Sequence, residues 1–328
     1  MIDNPQVSKS SNKEASYKRF YPYLKWVISI VSLLFFGYQW TQLDAGIWDE
    51  ILATAHHSLG WVILVLLLAL INWNAEAAKL RVLLRSEIRL SPLRSFLIVL
   101  GGMAISNFTP ARTGEYVGRG LLLKKLHPIK VIIATITGNL AQVILTYLLG
   151  LIAFFSFLLF TDKGSDWIDD TSKIGVAIGL LVLIILIVVY AKQILSKVKN
   201  VLPKKIQKTL NLVKRYNKAL FLRVLQLAFV RYLAFSIQFF LLLQIFGDFA
   251  LPWTSLTLIP VAYLLQSLVP VPAVSDVGVR VIVSQLLFGS LLLDSSILQA
   301  VTCLWFINLI LPGIFGALYL LFSTFQNK

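Results

Sequence analysis

The sequence is poor in residues that usually carry redox or metal chemistry. It has one cysteine in 328 residues, Cys303, so no intrachain disulfide can form. The three histidines, His56, His57 and His127, show no metal-ligand spacing. There is no Gly-x-x-x-x-Gly-Lys sequence, and therefore no P-loop nucleotide site. We predict neither a metal site nor another cofactor.

Charged residues are scarce as well, at 14% of the chain against about a quarter in soluble domains. The chain is 58% hydrophobic, with a mean hydropathy of +0.80. The formal charge is +15, but the basic residues flank apolar runs and no aromatic-basic reader motif accompanies them. The positive-inside rule and anionic lipid headgroups explain the charge better than nucleic acid does. The composition therefore predicts an all-α integral membrane protein that binds no nucleic acid.

Long apolar runs predict a polytopic helical bundle. These runs cover residues 21–40, 59–73, 131–160, 174–191, 224–246 and 297–322. Residues 1–20 form a basic tail, and 192–223 carry ten Lys or Arg and no acid, so both are predicted to be cytoplasmic. The acidic loops 41–57 and 161–173 are predicted to lie outside. Five basic residues are expected on a cytoplasmic interfacial helix after the second span: Lys79, Arg81, Arg85, Arg89 and Arg94.

This arrangement places both chain termini in the cytoplasm and the protein in the cell membrane. The domain predicted from it is a flippase-like transmembrane unit over residues 21–325, after the tail 1–20.

Residues 107–119 bring charge and helix-breaking residues into an apolar region. They read Asn-Phe-Thr-Pro-Ala-Arg-Thr-Gly-Glu-Tyr-Val-Gly-Arg. The apolar run before them, 92–106, has 15 residues, whereas a spanning helix needs about 20. The pattern predicts a re-entrant hairpin that enters from the cytoplasm, turns near Pro110 and leaves on the same side. The alternative is an ordinary span that places Arg112 and Arg119 outside.

A related pattern recurs in the second half of the chain. The short run 253–269 leads into Pro270-Val-Pro272-Ala-Val-Ser-Asp276-Val-Gly278-Val-Arg280. In both motifs an arginine follows an acid by four residues, in Glu115–Arg119 and Asp276–Arg280, so each pair shares one helix face. Span, short helix, turn, return helix and long span occupy 59–160 and again 224–322. With the linker 192–223 between them, the sides assigned by charge predict an inverted-topology repeat with a second re-entrant hairpin.

The first motif resembles a pattern of the transmembrane region of lysylphosphatidylglycerol synthases and their stand-alone, flippase-like relatives. The pattern Asn-x-x-Pro-x-Arg-x-Gly-Glu-x-x-x-Arg is matched by Asn107, Pro110, Arg112, Gly114, Glu115 and Arg119. The basic segment 79–94 is also similar, and the resemblance covers roughly residues 20–325. Many members carry a Pro-x-Pro-Gly-Gly turn and a glutamate in the second half, where this chain has Ala273, Val274 and Asp276.

The resemblance implies a module that moves or holds a lipid. The bifunctional synthases add a soluble aminoacyl-transferase domain after the membrane region, and this chain ends at Lys328. Lysyl transfer is therefore not expected, and the protein is not predicted to be an enzyme.

The residues and the resemblance together predict a lipid flippase or transporter for a phospholipid or a lipid-linked substrate. The candidate substrate-binding residues are Asn107, Pro110, Arg112, Gly114, Glu115, Arg119, Arg231, Pro272, Asp276 and Arg280. The arginines would receive a headgroup phosphate, and the acids would pair with them in the empty site or bind a headgroup amine.

Other interpretations stay open. They are structural ion pairs that brace the broken helices, an intramembrane enzyme acting on a lipid-linked substrate, and a membrane scaffold subunit. A homo-oligomer is compatible with the sequence.

Overall fold

The computed structural model describes residues 34, 45–107, 109, 113–123, 126–160, 217–268 and 276–322. Within these residues the regular structure is entirely helical. The α-helices are α1 Ala45–His57, α2 Leu59–Leu83, α3 Pro92–Ser106, α4 Gly114–Leu122, α5 Pro128–Phe160, α6 Lys218–Phe246, α7 Leu258–Ser267, α8 Asp276–Phe288, α9 Asp294–Trp305 and α10 Leu311–Phe322. A 3₁₀ turn, Trp253–Thr257, precedes α7, and a π-helical turn, Phe306–Ile310, joins α9 to α10.

Four helical stretches are long and apolar enough to cross a membrane: α2, α5 over Pro128–Leu158, α6, and the continuous stretch Asp294–Phe322. The shortest of them has 25 residues and is about 38 Å long, more than the roughly 30 Å of a bilayer core. The predicted all-α, polytopic membrane fold is confirmed. The predicted spans 21–40 and 174–191, the tail 1–20 and most of the linker 192–223 lie outside the described residues.

Each half of the molecule also contains two short helices that are packed together. In the first half α3 has 15 residues and α4 has nine, and the two are in contact. In the second half α7, with ten residues, contacts α8, with 13. None reaches the roughly 20 residues of a spanning helix. The structure therefore contains the short helix pairs that the sequence predicts, while the side of the membrane from which each pair opens stays a prediction.

The two halves pack on each other reciprocally. The first long helices, α2 and α6, run antiparallel, since Glu76 contacts Arg231 while Val65 contacts Gln238 further along. The short helix α3 packs on α10 of the second half, and α7 packs on α5 of the first half.

Glycines let the backbones of these exchanged pairs approach closely. A Cβ atom added at Gly316 would lie 2.0 Å from the carbonyl oxygen of Leu100. One added at Gly150 would lie 3.0 Å from that of Pro260. Each half thus packs against the short helix pair of the other half. We call the pair α3–α4 the first hairpin and the pair α7–α8 the second hairpin.

Several helix boundaries differ from those expected from the sequence. Residues 45–57 form a helix within the stretch predicted as a loop. α6 begins at Lys218 instead of 224, and the last long stretch begins at Asp294 instead of 297.

The predicted interfacial helix does not form: Arg85 and Arg89 lie in the non-helical segment between α2 and α3, and Arg81 and Arg94 belong to α2 and α3. The expectation is also wrong for Lys79. It does not lie on an interfacial helix, because α2 continues past Trp73 to Leu83 and the Lys79 side chain is only 1% exposed. Residues 74–83 are rich in Ala, Glu, Lys, Leu and Arg, all strong helix formers, so the helix continues. Lys79 pairs with Glu76 on the same helix, and its Nζ atom donates to the Gly138 carbonyl of α5, so its burial is tolerable.

Candidate functional site

Glu76 of α2 is a buried carboxylate that binds three cations. Its Oε1 atom lies 2.9 Å from Nη2 of Arg119 on α4. Its Oε2 atom lies 2.7 Å from Nζ of Lys79 and 2.5 Å from Nη1 of Arg231 on α6. Only 2% of the Glu76 side chain is exposed. Because a buried charge is costly unless it is paired and hydrogen-bonded, this residue determines how α2, α4 and α6 meet.

Arg119 bridges two carboxylates. Its Nη2 atom also bonds Glu115, one turn earlier on α4, so the predicted acid–arginine pair is present. The Arg119 side chain is 1% exposed and runs along α3 at Gly102, where an added Cβ would lie 2.8 Å from its Cγ atom. The glycine therefore leaves the space that Arg119 occupies. The Nε atom of Arg119 is buried and has no hydrogen-bond partner among the described residues.

These five side chains, Glu76, Lys79, Glu115, Arg119 and Arg231, form what we call the charge cluster. It contains three cations and two carboxylates, and so carries one positive charge in excess. Arg231 is its most accessible cation, with 24% of its side chain exposed. It lies about half-way along α6, roughly 20 Å from either end. Charged side chains at such a depth in a membrane usually face an ion-pair partner or a water-filled cavity.

A chain of amide side chains extends from the charge cluster along the interface of α2 and α6. Nε of Arg231 donates to Oδ1 of Asn72 at 2.8 Å, and Nδ2 of Asn72 donates to Oδ1 of Asn308 at 2.7 Å. Nδ2 of Asn308 donates to Oε1 of Gln238 at 2.8 Å, and Nε2 of Gln238 donates to the Val65 carbonyl at 3.1 Å. The polar groups of three long helices are thus linked in one network.

The π-helical turn Phe306–Ile310 connects this network to both hairpins. Asn308 lies within the turn, and Nδ2 of Asn107, at the end of α3, donates to the Leu309 carbonyl at 3.1 Å. From the second hairpin, Val277 packs against the same turn. Such turns are frequent at functional sites, because they break the regular helical bonding and redirect side chains.

The second hairpin supplies Arg280, on α8. Its guanidinium carbon lies 5.8 Å from the centre of the Phe235 ring, a cation–π arrangement. Phe235 follows Arg231 by one turn on α6. The Phe235 ring therefore places Arg280 beside α6, the helix that also carries Arg231.

A family model for the lysylphosphatidylglycerol synthase TM region matches residues 24–316 of the chain. The chain belongs to this family. No curated protein and no solved structure matches it significantly. The whole charge cluster and the π-helical turn lie inside the matched range. Membership in the lysylphosphatidylglycerol synthase transmembrane family confirms the resemblance and indicates a membrane protein linked to lipid handling.

The structure of this family member brings together part of the predicted site. Glu115, Arg119 and Arg231 share the charge cluster, and Asn107 reaches the π-helical turn next to it. Gly114 begins α4 where an added Cβ would lie 2.6 Å from the Ile105 carbonyl oxygen, so it permits the tight turn between α3 and α4. Pro110, Arg112 and Pro272 lie outside the described residues, as does the side chain of Asp276.

The sequence prediction did not include Glu76, Asn72 or Asn308 in the site. A signal was present, because Asn72, Glu76 and Lys79 recur at spacings of four and three residues and so share one helix face. A single face that carries an amide, an acid and a base directly after an apolar run indicates a buried polar site.

Proposed function

We propose that the protein is a flippase-type transporter of the cell membrane, and that its charge cluster binds the phosphate of an anionic or lipid-linked headgroup. The observation that supports this most strongly is the excess positive charge of the buried cluster. One phosphodiester carries one negative charge, and would bring the five side chains to neutrality.

The donor geometry of the cluster suits such a ligand. Guanidinium groups bind phosphate through paired, charge-assisted hydrogen bonds. Arg231 is partly exposed, and Arg119 retains a buried Nε without a described partner. A phosphate that reaches Arg231 would share or replace its bond to Glu76, so that a ligand takes the position of an internal carboxylate.

The ion pairs of the two carboxylates in the charge cluster support transport rather than catalysis. A general acid or base must reach the reacting proton of a substrate. Both carboxylates of the cluster, Glu76 and Glu115, are engaged with arginine or lysine instead. They are placed to hold cations in position, which a binding and release cycle needs.

The reciprocal packing of the two halves supports the inverted repeat. We propose that α3–α4 opens toward the cytoplasm and α7–α8 toward the outside, with both chain termini cytoplasmic. Such repeats let one half move against the other around a site near the middle of the membrane. Labelling of the hairpin ends from the two sides of the membrane tests this orientation.

The transport proposal is tested by the movement of fluorescent, acyl-labelled phosphatidylglycerol between the leaflets of proteoliposomes. We expect Arg231→Gln to slow this movement by at least about tenfold, the factor expected when a hydrogen bond to a charged group is lost. Arg223→Gln is the matched control, because Arg223 lies two turns earlier on α6 and is exposed. If both folded variants move the lipid as fast as the parent protein, the charge cluster is not the headgroup site.

A further inference from the structure

An uncharged polar stripe runs along α5. It consists of Thr135, Asn139, Gln142 and Thr146. Their spacings of four, three and four residues place all four side chains on one face of the helix. The stripe extends over about 16 Å of the helix axis.

The stripe lies at the boundary between the packed and the lipid-facing sides of α5. One neighbouring face is buried against α2, α4 and α6, and carries Ala134, Ala141 and Leu145. The other neighbouring face carries the exposed side chains Ile136, Leu140, Val143 and Tyr147. Thr135 is buried, and the other three stripe residues are half-buried. Asn139, Gln142 and Thr146 are therefore partly accessible to a headgroup that travels along the protein surface, whereas the Thr135 hydroxyl donates to the Val131 carbonyl within the helix.

One end of the stripe adjoins the charge cluster. Nζ of Lys79 donates to the Gly138 carbonyl at 3.3 Å, and Nδ2 of Asn139 donates to the hydroxyl of Tyr116 at 3.3 Å. Beyond the other end, α5 packs on α7, where an added Cβ at Gly150 would lie 2.7 Å from Cβ of Leu264. The stripe therefore runs between the two hairpins.

The side-chain amide of Gln142 has hydrogen-bonding capacity that the described residues leave unsatisfied. Its Oε1 atom is buried and has no hydrogen-bond partner in the described part of the chain. A buried polar atom without a partner destabilises the fold. A hydrogen-bond donor from a ligand would satisfy it.

We propose that the polar stripe binds the hydroxyl groups of the transported headgroup, and that the substrate is an anionic phospholipid with an uncharged polyol or sugar headgroup. This proposal rests on the proposed function, since the charge cluster would hold the phosphate of the same lipid. Thr, Asn and Gln offer both donors and acceptors without charge, as hydroxyl groups require. A headgroup amine would need a carboxylate, and both carboxylates of the cluster already bind cations.

The test compares two acyl-labelled lipids in proteoliposomes. Phosphatidylglycerol and phosphatidylmethanol carry the same phosphodiester charge, but only the first has headgroup hydroxyls. We expect the parent protein to move phosphatidylglycerol about fivefold faster, the factor that one neutral hydrogen bond gives. Gln142→Leu, and independently Thr146→Val, should lower that ratio to near one while the phosphatidylmethanol rate is unchanged.

Thr137→Val is the matched control. Thr137 is half-buried on another side of α5, where its hydroxyl donates to the Ile133 carbonyl, so the ratio should stay at the parent value. The unfolding temperature of Gln142→Leu should equal or exceed that of the parent protein, since an unpaired amide is removed.

Equal rates for the two lipids in the parent protein, with Arg231→Gln still impaired, would overturn this inference and leave the proposed function intact. If the ratio of the phosphatidylglycerol rate to the phosphatidylmethanol rate stays at the parent value in both Gln142→Leu and Thr146→Val, this inference is also overturned and the proposed function is left intact. If the parent protein moves neither lipid, both proposals fail.

Discussion

Glu76 is the residue on which the buried charges of this protein depend. Its two oxygens bind Lys79, Arg119 and Arg231, which come from three helices. Removal of one partner from a buried ion pair leaves uncompensated charge in a medium of low dielectric constant. The carboxylate of Glu76 is needed for the helices to pack, whether or not a ligand is present.

We expect Glu76→Gln to lower the free energy of unfolding by about 3–5 kcal/mol, because it leaves three buried or half-buried cations without their shared carboxylate. Thermal unfolding in detergent measures this. Glu87→Gln is the control, since Glu87 binds Lys130, which is one-third exposed, and such pairs contribute about 1 kcal/mol or less. Equal destabilisation by the two substitutions would show that Glu76 does not organise the cluster.

At the scale of whole elements, the close approach of α3 and α10 determines where the first hairpin lies. Gly316 brings the backbone of α10 against Leu100 and Gly101 of α3. Next to this contact, Asn107 binds the π-helical turn, and Gly102 admits Arg119. A change in the distance between α3 and α10 would therefore move Arg119 relative to Glu76.

Gly316→Ala should destabilise the protein by about 1–3 kcal/mol, because the new methyl group would overlap the Leu100 carbonyl and force the helices apart. Gly60→Ala should leave stability unchanged or slightly raised, since nothing lies within 4 Å of that position and alanine favours the helix. Thermal unfolding of both variants measures the contrast. A Gly316→Ala protein as stable as Gly60→Ala would contradict the close packing.

Local features of the sequence predicted the short helices and one ion pair. Apolar run lengths indicated α3 and α7, and the four-residue spacing of Glu115 and Arg119 indicated that they share a face. Glu76 could not be assigned in the same way. The hydropathy of the run falls after Trp73, so the predicted span ended before Glu76, whereas α2 continues because its charges find partners on α4 and α6. Tertiary packing brings those partners together, and the spacing of residues along one helix cannot predict it.

In the molecule as a whole, the proposed transport depends on two halves of opposite orientation that meet at the charge cluster. The exchanged contacts, α3 with α10 and α7 with α5, are those that such a repeat would make. Transport requires more than these contacts. One hairpin must end on the cytoplasmic side and the other on the outer side, so that the headgroup has an entrance in each leaflet.

The most direct test is labelling with a membrane-impermeant thiol reagent in a Cys303→Ala background. His127→Cys marks the end of the first hairpin and Ser290→Cys the end of the second, and both positions are exposed. We expect Ser290→Cys to be labelled in intact cells, and His127→Cys to be labelled only after the membrane is permeabilised. Labelling of both positions from the same side would contradict the proposed orientation.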